Sequence, residues 1–154
     1  MPTAQIETEI ISTMQHAVAD RLREILPPKL AESIVREDAK DVFTDVAKRL
    51  AAGMLILVTT PDLEPGEVEF SVVATVAIEI TEQTVMNRGS SGSKVFGPDV
   101  GALVIAALRA DDWRPGNVWT PMIWKGFKLA GGDAETRSVI YVATFTSTTI
   151  FKVV

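Results

Sequence analysis

Residues 69–81 alternate with few exceptions for thirteen positions, and no other feature of the chain limits its fold so tightly. Phe70, Val72, Ala74, Val76, Ile78 and Ile80 fall on one side of the run. Glu69, Ser71, Thr75, Glu79 and Thr81 fall on the other, joined there only by Val73 and Ala77. Period-two alternation marks a half-buried β-strand, because successive side chains point to opposite faces of a sheet. Such a strand is longer than the usual length of roughly five or six residues, so one end is expected to project beyond its own domain and offer backbone groups to a neighbour. The feature points to assembly rather than to chemistry.

Around this strand the chain divides into helical and extended stretches. Ile11, Met14, Val18, Leu22 and Ile25 recur at steps of three and four, which predicts an amphipathic helix that starts near Thr3 or Thr8 and stops at Pro27 and Pro28. Ala39, Val42, Phe43, Val46 and Leu50 predict a second helix with Asp38 as N-cap and Gly53 closing it. Residues 29–37 between them fit neither period. Residues 54–60 read as a strand covered on both faces and ended by Pro61, and residues 62–66 read as a turn. The Gly- and Ser-rich residues 87–94 predict a mobile loop, and Pro98 and Asp99 open a helix with Val100, Leu103, Val104, Ala107 and Leu108 on one face. Residues 113–117 form a second turn. Residues 119–129 read as a strand broken near Pro121, with Gly131, Gly132 and Asp133 as a hairpin turn before the last strand. In that last strand Val139, Tyr141, Ala143, Phe145 and Phe151 share one parity and Ile140, Val142, Thr144, Thr146 and Thr148 the other. The sum is a single α+β domain over 1–154, an antiparallel sheet of about four to five strands with helices packed on one face.

Composition narrows the function. With 154 residues, 47% apolar and 23% charged, the chain can build an ordinary core. No apolar run approaches membrane-span length and the N-terminus lacks a basic region followed by an apolar stretch, so a cytoplasmic product with no membrane partner is expected. The absence of cysteine removes disulfides, thiolate nucleophiles and cysteine metal sites. The net charge of −5 is concentrated around the long strand, where residues 54–97 carry 2 Lys/Arg against 6 Asp/Glu. Tight binding to phosphate backbones relies on clustered cations, so direct nucleic-acid recognition is not expected.

No catalytic, metal or cofactor site can be assembled from the residues. His16 is the only histidine and falls about 200° around the helix from Met14, towards solvent. Gly89 to Lys94 lacks the spacing of a phosphate-binding loop. Glu69 and Glu79 are ten positions apart on one predicted strand, roughly 33 Å, too far to share one site. With Glu64, Glu67 and Glu82 they read as a solvated acidic face, whose functional variant is a face that repels nucleic acid. Trp113, Trp119 and Trp124 can serve either core or interface. The loop 87–97 can order against a partner with Arg88, Lys94 and Phe96 as anchors. Arg88, Lys94, Phe96, Glu69 and Glu79 are therefore the candidate interface residues.

The N-terminal helix ending at Leu26, Pro27 and Pro28, the strand 69–81, the Gly/Ser loop 87–97 and the helix ending before Trp113 follow one another in an order that resembles the tail-terminator proteins of long-tailed bacteriophages. These include the small family of Mu-like prophages. The hairpin at Gly131 and Gly132 with its Thr-rich last strand completes the resemblance, which spans nearly the whole chain, while residues 29–53 exceed the short connection it implies. The resemblance implies a non-enzymatic protein that caps the tail tube, halts its polymerisation and presents a surface to head-completion or neck proteins. It also implies a hexameric ring whose channel passes genomic DNA without specific binding, made in the host cytoplasm and located in the virion at the tail-neck region. Another neck or tail-completion component shares the same size and composition. A small ligand-binding or hydrolytic α+β enzyme would instead use a pocket between the helix 98–109 and the sheet.

Overall fold

The structure, a computed structural model, describes residues 3–89 and 92–150. In chain order its elements are α1 (Thr3–Ile25), α2 (Pro28–Ala31), β1 (Ile34–Arg36), α3 (Val42–Ala52), β2 (Met54–Val58), β3 (Asp62–Pro65), β4 (Ser71–Gln83), α4 (Thr84–Arg88), α5 (Gly97–Arg109), a single 3-10 turn (Ala110–Asp112), β5 (Ile123–Asp133) and β6 (Ser138–Ile150). The expected α+β class holds. The sheet has six strands in the order β1-β2-β4-β6-β5, with β3 also paired to β4, and only the β1–β2 pair is parallel.

The long strand is present, displaced by two residues to Ser71–Gln83, but it has no free edge. β6 pairs with it along its whole length, from Ser71 opposite Ile150 to Gln83 opposite Ser138. Its other edge is shared by two short strands, β2 against Ile78 to Glu82 and β3 against Val72 to Thr75. The expected projecting end is thus filled from within the chain, because residues 62–65, read as a turn, supply the missing partner. Phe70 and Glu69 lie in the turn before the strand rather than on it, with Phe70 exposed at φ 63°.

Alternation then sorts the faces. Ala74, Val76, Ile78 and Ile80 are fully buried and meet Ala143 and Phe145 of β6 on the face covered by α1 and α5. From α1 this core takes Met14, Val18, Leu22 and, beyond the helix end, Leu26; Ile25 points out. Each fully buried Leu or Val contributes about 1.5–3 kcal/mol, so the helix is held mainly by this stripe. Gln15 is buried too, and its side-chain amide donates to the Val58 carbonyl at 3.1 Å. α5 adds Val100, Val104, Ala107 and Leu108. Its Gly97 and Gly101 lie against Tyr141 and Phe127, which stack at 5.6 Å, so a Cβ at either glycine would collide with a ring.

The second helix begins later than expected and takes a different side. α3 starts at Val42, and Asp38 is no cap but sits 3.7 Å from Arg36 and 3.5 Å from His16. Val35 and Leu55 are buried but belong to the opposite parity from Ile34 and Ile56, and α3 packs there through half-buried Val42, Val46 and Leu50. Phe43 stays exposed. Gly53 ends α3 at φ 106° with its N–H on the Arg49 and Leu50 carbonyls, a left-handed cap that glycine adopts without Cβ strain. The final hairpin turns at residues 134–137, with Arg137 at φ 53°, while Gly131, Gly132 and Asp133 remain inside β5. Phe151, expected on the last strand, lies outside the described residues.

Candidate assembly surface

The loop after β4 is pinned by a buried carboxylate. Glu82 falls on the same parity as Ile78 and Ile80, facing the core with only 3% of its surface exposed. Its two oxygens are used: Oε1 accepts the Gly97 N–H at 3.1 Å, and Oε2 accepts the Asn87 side-chain amide at 2.8 Å. Asn87 is itself fully buried and also donates to the Val95 carbonyl at 3.0 Å, while its Oδ1 accepts the Ser93 hydroxyl at 2.6 Å. The Lys94 N–H closes the loop on the Asn87 carbonyl at 3.1 Å. A carboxylate held by a buried amide and the first N–H of a helix is the kind of charge-assisted pair that fixes a loop in one conformation. In its described residues the loop is closed by these hydrogen bonds, with a strand residue reaching back to it; Ser90 and Ser91 of that stretch lie outside the described residues.

The five candidate interface residues divide into three places. Arg88 and Phe96 come together, the guanidinium lying 4.5 Å from the ring centroid, and Arg88 Nε stands 3.9 Å from Glu82. Both are exposed, so a cation and an aromatic ring are presented together above the network. Lys94 is exposed in the same loop, at φ 60°. Glu79 stands on the opposite face of the sheet, in register with Leu57 and Val142. Glu69 lies beyond the other end of β4, which spans roughly 40 Å at about 3.3 Å per residue.

Two rim segments do not read as assembly surfaces in sequence, although Glu69 is a candidate interface residue and Trp124 is open to core or interface. The segment 62–70 holds Asp62, Glu64, Glu67 and Glu69 with exposed Leu63, Val68 and Phe70. The outer strand β5 carries exposed Ile123, Trp124 and Leu129 beside Lys125 and Lys128. Neither has a clean apolar period, and the signal that was available is the coincidence of opposite charge with large apolar residues. The tryptophans split accordingly: Trp119 is buried, Trp113 packs against the core beneath Arg21 at 5.8 Å, and Trp124 is on the surface.

The space between α5 and the sheet, where an enzyme pocket was the alternative, is filled by the Gly97–Tyr141 and Gly101–Phe127 contacts. An open recess of about 630 Å³ lies elsewhere, lined by Leu50, Gln83, Val85 and residues 135–138. His16 is exposed beside Asp38, as expected of a surface histidine. Among the described residues there is no group of three or more His, Cys, Asp or Glu placed to hold a metal ion, and no helix long and apolar enough to cross a membrane.

No family model and no curated protein matches the chain. Among solved structures, the fold is similar to that of a chain in the virion of a native gene transfer agent particle, with a TM-score of 0.61 and 14% sequence identity. The likeness covers 88% of this chain and 93% of that one, so it includes the sheet and the helices on it rather than a shared fragment.

Proposed function

We propose that this protein is a structural component of a phage-like particle, and more specifically a tail terminator that caps the tail tube, stops its growth and offers the surface to which head-completion or neck proteins join. The observation that carries the reading is the fold likeness to a virion chain over nearly the full length of both. The surface agrees with it. Trp124 and Leu129 are exposed on β5 beside Lys125 and Lys128, and Phe70 beside the carboxylates of residues 62–69, a mixture of apolar and charged side chains that suits contact with neighbouring subunits. The ring is taken to be hexameric, with DNA passing through its channel unbound, in keeping with the chain's net charge of −5.

On this reading the Arg88, Lys94 and Phe96 patch meets the tube or the neck, since it is exposed and includes the arginine and aromatic types that anchor interfaces. The enzymatic alternative is disfavoured by the packed side chains that fill the helix–sheet space. Deletion of the gene with electron microscopy of the particles tests the proposal. Overlong tubes that fail to join heads are expected. Tails of normal length would overturn the terminator role, and normal tubes left without heads would move the protein to another neck component.

A further inference from the structure

The sheet has two unlike outer edges on opposite sides of the β4–β6 pair, and their side chains are complementary. On one side the arm 62–70, made of β3 and the turn after it, carries four exposed carboxylates and three exposed large apolar residues. On the other, β5 ends the strand order with two lysines among three exposed large apolar residues. Among the described residues none of these carboxylates or lysines is ion-paired within the subunit.

The arm has a set shape. The Gly66 N–H donates to the Ser71 carbonyl at 2.9 Å, and the Ser71 N–H and hydroxyl both donate to the Val68 carbonyl. A Cβ at Gly66 would overlap the Ser71 hydroxyl, so the turn closes tightly. Within it Phe70 is held at φ 63°, a backbone region unfavourable for a bulky side chain, and its ring points to solvent. Backbone strain that displays an aromatic ring outward gains nothing for the subunit's own core. The β5 edge is also shaped, with register shifts at Lys125 and Ala130. Bulges and lysines on an outer strand discourage indiscriminate pairing. They do not discourage an acidic partner.

We propose that the acidic arm 62–70 of one subunit seats on the outer strand β5 of the next, with Glu64 and Glu67 opposite Lys125 and Lys128 and Phe70 beside Trp124 or Leu129. The occupant of each edge is therefore a second copy of this chain. Because the two patches differ, the contact is heterologous and repeats with one rotation from subunit to subunit, as a closed ring requires. This rests on the ring-forming reading above and assigns its subunit contact.

A charge swap tests it. The variant K125E/K128E places negative β5 against the negative arm, and the variant E64K/E67K places positive against positive. Each is expected to melt as wild type does and to self-associate at least about tenfold more weakly, measured by sedimentation and native mass spectrometry in solution and on isolated tail tubes. An equimolar mixture is expected to recover assembly with strictly alternating 1:1 composition, and a chain carrying all four substitutions to recover it alone. Wild-type assembly by either single-sided variant, absence of rescue from two folded variants, or no self-association of the wild type in solution or on tubes would each overturn the contact. Overlong tails on gene deletion without charge-swap rescue would sink this contact and leave the terminator role standing. Charge-swap rescue with normal tails on deletion would do the reverse.

Discussion

The connections at the two ends of β4 treat their acidic side chains in opposite ways. At the far end Glu82 is buried, with Asn87 and the Gly97 N–H on its oxygens, and it organises the chain that follows. At the near end Glu64, Glu67 and Glu69 are exposed, and only the hydrogen bonds at Gly66 and Ser71 hold the turn. A buried carboxylate must find its partners within the subunit, because desolvating it unpaired is costly. An exposed one keeps its charge available for another molecule. The buried carboxylate at the far end therefore serves the fold, whereas on the proposed subunit contact the exposed ones at the near end serve association, and substitutions should separate the two.

The largest effect belongs to the strand that joins them. Val76→Asp puts a carboxylate into the fully buried row with no partner in reach, at a cost of several kcal/mol, on the order of the whole stability of a small domain. Circular dichroism should show a largely unfolded chain. Thr75→Asp, on the half-buried opposite face, should melt within a few degrees of wild type. Equal losses in the two would contradict the assignment of faces on which the comparison stands.

Next comes the pinned end. Glu82→Leu leaves the buried Asn87 amide and the Gly97 N–H each short of an acceptor, and with unsatisfied buried groups costing about 1–3 kcal/mol each, a loss of roughly 3 kcal/mol is expected in denaturant unfolding. Hydrogen exchange should accelerate at the backbone amides of Lys94 and Gly97 more than in β6. The equivalent change at the near end, Glu67→Leu, should leave stability unchanged within about 0.5 kcal/mol. Unchanged exchange in the loop of the Glu82 variant would show that the carboxylate is not what holds it.

The alternation of β4 was readable because a period of two leaves little choice of structure, and the parity of Val76, Ile78 and Ile80 carried directly into the core. The same parity places Glu82 on the buried side, which corrects its reading as part of a solvated acidic face; its charge outweighs its parity in that reading, and its partner Asn87 reads as a loop residue. β1 and β3 were not legible. β1 is three residues long, and Asp62, Glu64 and Pro65 resemble a turn in composition; their pairing is dictated by the length of β4 rather than by their own pattern. Gly131 and Gly132 misled for a related reason, since glycine in an outer bulged strand serves irregular register as readily as it serves a hairpin turn. Of the candidate interface, Arg88 and Phe96 were foreseeable as exposed side chains, but their stacking above a buried network was not.

A smaller effect is expected from the patch above that network. Replacing Arg88, Lys94 and Phe96 together with alanine removes an exposed stacked pair worth about 0.5–1 kcal/mol and should lower the melting temperature by only a few degrees. Capping of tail tubes should fall well beyond that change, because arginine and aromatic anchors are the side chains whose truncation costs most at an interface. Complementation with measured tail lengths reads the outcome, and His16→Ala serves as the neutral control. Normal tails from the triple variant would remove the pinned end from assembly and leave the near end alone in that role.

The smallest effect on folding has the most to say about the near end. Phe70 occupies the left-handed region, which for a bulky residue costs roughly 1–2 kcal/mol, and its exposed ring does little for the core in return. Asparagine tolerates that conformation, so Phe70→Asn should raise stability by up to about 1 kcal/mol, seen as a melting temperature a few degrees higher. Self-association should weaken at the same time, since the aromatic group held out by the arm is gone. A gain in one property with a loss in the other is the signature of a residue retained for binding at the expense of stability. A Phe70→Asn chain that folds better and still assembles as wild type would leave the strained turn without a part in the subunit contact. One that folds worse would show that the ring supports its own subunit, and the division between the two ends of β4 would have to be redrawn.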